Sequence, residues 1–263
     1  MSHPEVSATD RLLSRLLMRV RPARLATWVK ARLNVQRRVL RTAEGIFWVD
    51  PVSHLGHELL LKGSYEPEMT DTLRAFLKPG DVFVDVGANE GYFSVLVAKQ
   101  VTQRGRVISV EPQARLLPVI AENLRLNEVT NATVVNMAIS ASKGLVDLYL
   151  APDTNSGSSG IYNTSKTRRA STPVMTQTLT ELLAESRIKE AALIKIDVEG
   201  FEHEVVMGSQ DVFRERRFHA LALEFHPDIL SERGLGMAPI GDFLMACGYE
   251  LDGRFINSVF VRK

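Results

Sequence analysis

Short apolar runs alternate with stretches of helical periodicity along most of this chain. The runs Val82–Val86, Val107–Val110, Thr133–Ala138, Gly144–Leu150, Val174–Thr178, Ala192–Ile196 and Ala220–Phe225 read as strands. Between them, Tyr92–Val101, Gln113–Leu126, Leu179–Ser186 and Glu202–Met207 read as helices, and Arg104-Gly105 turns the chain back. A helix at Pro239–Cys247 and two strands, Tyr249–Leu251 and Ser258–Val261, close the pattern as an antiparallel pair at the sheet edge. Strands alternating with helices of this length predict a mostly parallel sheet with helices on both faces. Upstream, Gly45–Asp50 predicts a short strand. His54–Lys62 fits helix or strand, and Pro67–Leu77 predicts a helix stopped by Lys78-Pro79-Gly80.

Two segments depart from this rhythm. Residues 151–172 are rich in Ser, Gly, Asn and Asp and carry Lys166, Arg168 and Arg169. They are too polar for core and too long for an ordinary connection, so they read as a surface insertion or as a lid over a site. Residues 1–44 form a basic N-terminal segment, with many arginines and no acid between Arg11 and Arg41. Leu12, Leu13, Leu16, Leu17 and Val20 recur there at helical spacing. A helical cap on the main domain, a membrane-surface helix and an organellar transit peptide all fit, and the cap is the plainest reading. The rest, residues 45–263, reads as one domain.

The formal net charge of +1 provides no whole-protein field that would draw the chain to nucleic acid. Cys247 is the one cysteine, which excludes an intramolecular disulfide and a cysteine-based zinc site and fits a cytoplasmic setting. No apolar run reaches the roughly 18–20 residues of a spanning helix.

The chemistry-bearing motifs sit at strand ends. Asp85-Val86-Gly87-Ala88-Asn89-Glu90-Gly91 follows a strand and precedes a helix, where glycines let backbone approach a ligand and free N–H groups face it. Dinucleotide enzymes use the same position, but Asp85 would repel a diphosphate, whereas the methionine end of S-adenosylmethionine offers it an ammonium. Glu111 lies 20 residues past Gly91, the spacing at which an acid accepts from ribose hydroxyls, although an acid there also caps helices. Asn136, before Met137-Ala138, either bonds the cofactor's base or turns the chain. Asp197, Glu199 and Glu202 cluster after Ile194-Lys195-Ile196, and Glu224 and His226 follow the next strand to the same rim. Helix capping explains Glu202 fully and Asp197 less well.

These residues resemble the FkbM-type methyltransferases. The resemblance runs from about Gly45 through Phe225. It rests on Asp85–Phe93, Val110-Glu111-Pro112, Asn136-Met137-Ala138 and, most specifically, Lys195-Ile196-Asp197-Val198-Glu199-Gly200. It implies an α/β, Rossmann-like class I S-adenosylmethionine-dependent methyltransferase with a mostly parallel seven-stranded sheet and an antiparallel edge strand. It also implies that Asp85, Gly87, Asn89 and Gly91 hold the methionine end and Glu111 the ribose. Tyr65-Glu66 resembles a family element near the cofactor, and Ala138 and Asp197 complete the expected cofactor set. The acceptor is expected to be a hydroxyl on a sugar, polyketide or other small metabolite.

An alcohol needs a base as its bond to the methyl forms, and Asp197, Glu199, Glu224 and His226 are the candidates, with His226 or Glu199 favoured. Mg²⁺ held by the carboxylates is a less favoured reading. A nucleic-acid methyltransferase is opposed by the acidity of Asp197-Val198-Glu199-Gly200, which would repel phosphates. A protein methyltransferase, a dinucleotide oxidoreductase and a non-catalytic Rossmann-like binding module are the other rivals. Peripheral membrane contact through residues 11–41 stays open, and oligomeric state is not legible.

Overall fold

The β-branched and aromatic runs become strands of two kinds, buried on both faces or on one. The computed structural model describes residues 3–21, 23–163, 170–255 and 258–263. In chain order the strands are β1 (Arg38–Arg41), β2 (Ile46–Val49), β3 (Val82–Val86), β4 (Arg106–Val110), β5 (Ala132–Val135), β6 (Ala138–Ile139), β7 (Gly144–Tyr149) and β8 (Ser171–Gln177). They continue with β9 (Ala191–Ile196), β10 (Phe218–Leu223), β11 (Tyr249–Leu251) and β12 (Ser258–Arg262).

Seven of these form the main sheet in the order β11-β12-β10-β9-β3-β4-β5. β5, β4, β3, β9 and β10 pair in parallel. β12 runs against both neighbours, so the reversed strand lies one place in from the edge, which β11 forms. Because side chains alternate across the sheet, Phe83 and Leu193 join one core with Phe47, Met69 and Leu96, while Val84 and Ile194 join the other with Leu182, Val205 and Phe213.

Three predicted strands part from the main sheet. The run Thr133–Ala138 stops at Val135, because the Asn136 amide donates to the carbonyls of Glu111 (2.8 Å) and Pro112 (3.0 Å) and pulls the chain aside. Ala138–Ile139 then pairs with β8, and the segments predicted at 144–150 and 174–178 form, with it, a second sheet ordered β6-β8-β7. Short helices at Gln210–Arg214 and Pro227–Glu232 have no counterpart in the periodicity reading. His54–Lys62 is a helix, capped by Ser53 and ended by Gly63 at φ +76°.

The basic N-terminus holds helices at Ala8–Leu17 and Ala23–Arg32, followed by the β1–β2 hairpin. Ser7 and Asp10 make a reciprocal capping box at the first of these helices. Ser14 bonds His57 (2.8 Å), Arg37 pairs with buried Glu90 (2.7 Å) and Lys30 pairs with Asp50, so the segment is seated on the domain. Lys166, Arg168 and Arg169 lie outside the described residues. Among those described, no helix is long and apolar enough to cross a membrane.

Candidate active site

Register decides what meets at the sheet's carboxyl edge. Val86 is level with Val110 and with Ile196, and Ile196 is level with Leu223. The next residue of each strand is therefore delivered to one rim: Gly87, Glu111, Asp197 and Glu224. In open α/β sheets that rim, where the strand order reverses between β3 and β9, is where ligands bind.

A solvent-open cleft lies there. Gly87, Asn89 and Glu111 line one part, Val110, Met137, Ala138, Ile139 and Leu148 make an apolar wall, and Glu66, Asp197, Glu199 and Glu224 line the mouth. Gly87 holds φ +87°, and a Cβ on it would stand 1.8 Å from the Asp197 carbonyl, so only glycine lets the β3 loop pass the end of β9. Asn89 is also left-handed, at φ +50°, and its N–H donates to Glu111 Oε2 at 2.8 Å. The N–H of Gln113 donates to Glu111 Oε1 at the same distance. Each oxygen of that carboxylate keeps capacity to accept a further donor. Burial raises the Glu111 pKa to about 7 against the two N–H donors.

The polar segment after β7 closes one side. Asn155 and Gly157 through Ile161 line the cleft. Ser156 Oγ donates to Asn89 Oδ1 (3.1 Å), Gln113 Nε2 donates to the Ser156 carbonyl (3.2 Å), and Arg115 pairs with Asp153 (2.6 Å). The wall is thus tied to the glycine loop rather than free in solvent.

Three expected cofactor residues do not line the cleft. Asp85 is fully buried beneath the loop, where it accepts from Ser94 Oγ (2.7 Å) and stands in register with Lys195 of β9. Gly91 at φ +80° caps the helix Tyr92–Val101 and lies against Ile120, serving the turn. Asn136 spends its amide on the carbonyls after β4. Glu66, Gly87, Asn89, Glu111, Ala138, Asp197, Glu199 and Glu224 are brought together around the cleft.

Lys195 is the residue that pattern reading left without a role. Its ammonium is buried and donates to Asp197 Oδ2 at 3.0 Å. Burial opposes that charge, but Asp197, Asp85, Glu66 and Glu224 together outweigh it and hold the pKa above the ordinary lysine value. A lysine inside the otherwise apolar run Ala191–Ile196 was the available signal. His54 also lines the cleft without having been singled out for it.

At the mouth, Nδ1–H of His226 donates to Glu202 Oε1 at 2.8 Å, which presents Nε2 to Glu199 Oε2 at 3.4 Å and Asp197 Oδ1 at 3.9 Å. Burial disfavours the imidazolium, yet Glu202, Glu199 and Asp197 together raise the His226 pKa to about 9. Glu199, at φ +52°, is raised to about 7 by burial and by Asp197 and Glu224, against the attraction of His226. Glu224 is raised to about 7 by burial and by Asp197 and Glu66. Asp197, Glu199 and His226 also offer three ligand atoms within 4.8 Å of one another, a set able to hold a metal ion.

The family model described as the methyltransferase FkbM domain matches residues 85–251, from the acid that opens the glycine loop to the end of β11. The chain belongs to the FkbM methyltransferase family. Its seven-stranded α/β sheet is the class I arrangement, and the enzyme is a methyltransferase. Similar solved structures include an FkbM methyltransferase from Methylobacillus flagellatus KT, with 14% identity, TM-score 0.47 and coverage of 78% of this chain and 52% of that one. This FkbM chain therefore spans about half the length of that relative. A precorrin-6y C5,15-methyltransferase from Geobacter metallireducens GS-15 has 14% identity, TM-score 0.43 and coverage of 77% and 92%. Aeropyrum pernix fibrillarin, solved with natively bound S-adenosyl-L-methionine, has 14% identity, TM-score 0.41 and coverage of 73% and 72%. No curated protein matches the chain.

Proposed function

We propose that this FkbM methyltransferase transfers a methyl group from S-adenosylmethionine to a hydroxyl oxygen of a small-molecule acceptor, a sugar, polyketide or similar metabolite. The donor set of the cleft fits that cofactor. Glu111 accepts from the ribose hydroxyls, and the apolar wall of Val110, Met137 and Ile139 suits a flat base. Glu66 and Asp197 complement an ammonium, and the backbone of Gly87 and Asn89 lies alongside. Asp85 acts at one remove, by fixing Lys195 and the loop. Bound there, S-adenosylmethionine supplies a sulfonium methyl carbon, and the protein contributes position and exclusion of water.

The observation that carries the reading is the placement of two carboxylates at the cleft, Glu199 within 3.4 Å of His226 Nε2 and Glu224 on the next strand end, each with its pKa raised to about 7. An acceptor hydroxyl loses its proton as the carbon–oxygen bond forms, and a base poised near the working pH takes it most effectively. We give that part to Glu199. In this reading His226, already protonated at neutral pH, is not the base but holds Glu199 in place. The acidic rim favours a small neutral acceptor over a phosphate-rich one.

The test is the pH dependence of kcat/KM, measured on an acceptor found by incubating candidate compounds with isotopically labelled S-adenosylmethionine and reading the products by mass spectrometry. The wild-type profile should rise through about 7 to a plateau, the Glu199 value. Glu199→Gln should lower kcat by about 10²–10⁴-fold and remove that limb. A variant within twofold of wild type would dismiss Glu199 as the base. Label recovered only in RNA or protein would replace the small-molecule reading, and no turnover on any acceptor would favour a binding module. The Asp197, Glu199 and His226 set supports a second reading in which Mg²⁺ orients the acceptor oxygen. Loss of turnover on chelation, restored by adding Mg²⁺, would select it.

A further inference from the structure

The helix Ala8–Leu17 is seated the wrong way round for an ordinary cap. The face turned to the domain carries Asp10, Ser14 and Leu17, fastened by the Ser14–His57 bond and the Asp10–Arg38 pair. The opposite face carries Leu12 and Leu16, one turn apart and 56% and 57% exposed. The helix Ala23–Arg32 also turns large apolar side chains outward. It buries Ala26 and leaves Leu25 and Trp28 outside, and Leu33 follows, these three being 46–57% exposed. Among the described residues, five of the exposed large apolar side chains thus fall within 22 positions of the chain. Polar groups inside and leucines outside would cost stability in a helix meant only to cover the core.

Charge says what would cover this patch. Arg15, Arg19, Arg21 and Arg32 are exposed among these leucines, and Arg32 stacks over Trp28 with its guanidinium 5.2 Å from the ring centroid. No acid occurs from Arg11 to Arg41 to neutralise them. Leucines and a tryptophan framed by arginines match the apolar boundary and anionic headgroups of a lipid surface, where the tryptophan lies at headgroup depth. A nucleic acid would use the arginines but not the leucines.

We propose that the two N-terminal helices dock this enzyme on an anionic membrane surface. The docking helices adjoin the site. Lys30, Arg37 and Asp153 line a common hollow, so the docked helices lie beside the Asp153–Ser158 turn that helps wall the cleft. The docked enzyme would meet acceptors that partition to a bilayer.

The full chain should co-sediment with vesicles of phosphatidylcholine and phosphatidylglycerol mixed two to one, and not with phosphatidylcholine alone. Binding should fall as salt is raised. Trp28 emission should shift to the blue on the anionic vesicles, a change absent in Trp28→Phe. The double variant Leu12→Glu, Leu16→Glu should lose at least tenfold in vesicle affinity while keeping its circular dichroism spectrum and its binding of S-adenosylhomocysteine, since neither residue touches the cleft. Absence of wild-type binding to the anionic vesicles would overturn the proposal, as would affinity unchanged in the double variant. So would a dimer in sedimentation velocity that the same substitutions split, because a second copy would then be the cover. Binding of single-stranded RNA that survives the leucine substitutions, with no vesicle binding, would reassign the arginines.

Discussion

Glu224 shows at the residue scale how a site charges itself against its own stability. Its pKa rises from 4.5 to about 7 because burial, Asp197 and Glu66 all disfavour the ionised form. In the unfolded chain it ionises at its ordinary value, so the stability tied to its protonated form is full below about 4.5 and is lost as the pH climbs through about 7. At pH 8 the folded enzyme therefore carries an unfavourable carboxylate, softened by solvent at the cleft mouth. Glu224→Gln should raise Tm at pH 8 by about 2–4 °C, what roughly 1 kcal/mol is worth in a chain of this size, and leave Tm at pH 4.5 nearly unchanged. A calorimetric scan at both pH values checks this, and a lower Tm at pH 8 would refute it. The carboxylates themselves were legible, each following an apolar strand. Their counter-ion Lys195 was visible only as an oddity, because a buried lysine declares its role through the charges the fold gathers around it, Asp85, Glu66 and Glu224 as well as the neighbouring Asp197.

At the scale of elements, the β1–β2 hairpin belongs to the domain by virtue of two asparagines. Asn123 Oδ1 accepts from the Trp48 N–H at 2.7 Å, and its amide donates to the Glu90 carbonyl at 2.8 Å. Asn127 does the same for Ile46, accepting from its N–H (2.9 Å) and donating to its carbonyl (2.6 Å). Both side chains stand on one face of the helix Leu117–Leu126 and its cap, four residues apart. Asn123→Ala leaves the part-buried N–H of Trp48 and the buried carbonyl of Glu90 without this partner and should cost about 1–3 kcal/mol. Urea unfolding should show a lower midpoint at constant slope, and Trp48 emission should shift to the red if the hairpin loosens first. An unchanged midpoint would mean that packing alone holds β2. Nothing in periodicity distinguishes these asparagines from surface ones. For the same reason β5 and β6 merged into one expected strand, since the break depends on where the Asn136 amide finds carbonyls.

For the whole molecule the prediction concerns linkage. A ligand that binds only the folded state stabilises it by about 2.7 kcal/mol at a hundredfold excess over Kd, or about 5–10 °C in Tm here. S-adenosylhomocysteine should produce that shift, and NAD at equal concentration none. A shift with NAD alone would reverse the cofactor assignment. The sequence by itself determined the alternation of strands and helices, the glycine turn before Tyr92, and the acids that follow β4, β9 and β10. Each is a local matter of side-chain period, backbone freedom or the residue after a strand. Only the tertiary structure decided which of those residues face the cleft. It sent Asp85 inward to Lys195, spent Asn136 on the backbone, and drew residues 155–161 along one side of the cleft. Strand register and long-range hydrogen bonds made those choices, and both depend on residues far apart in the chain.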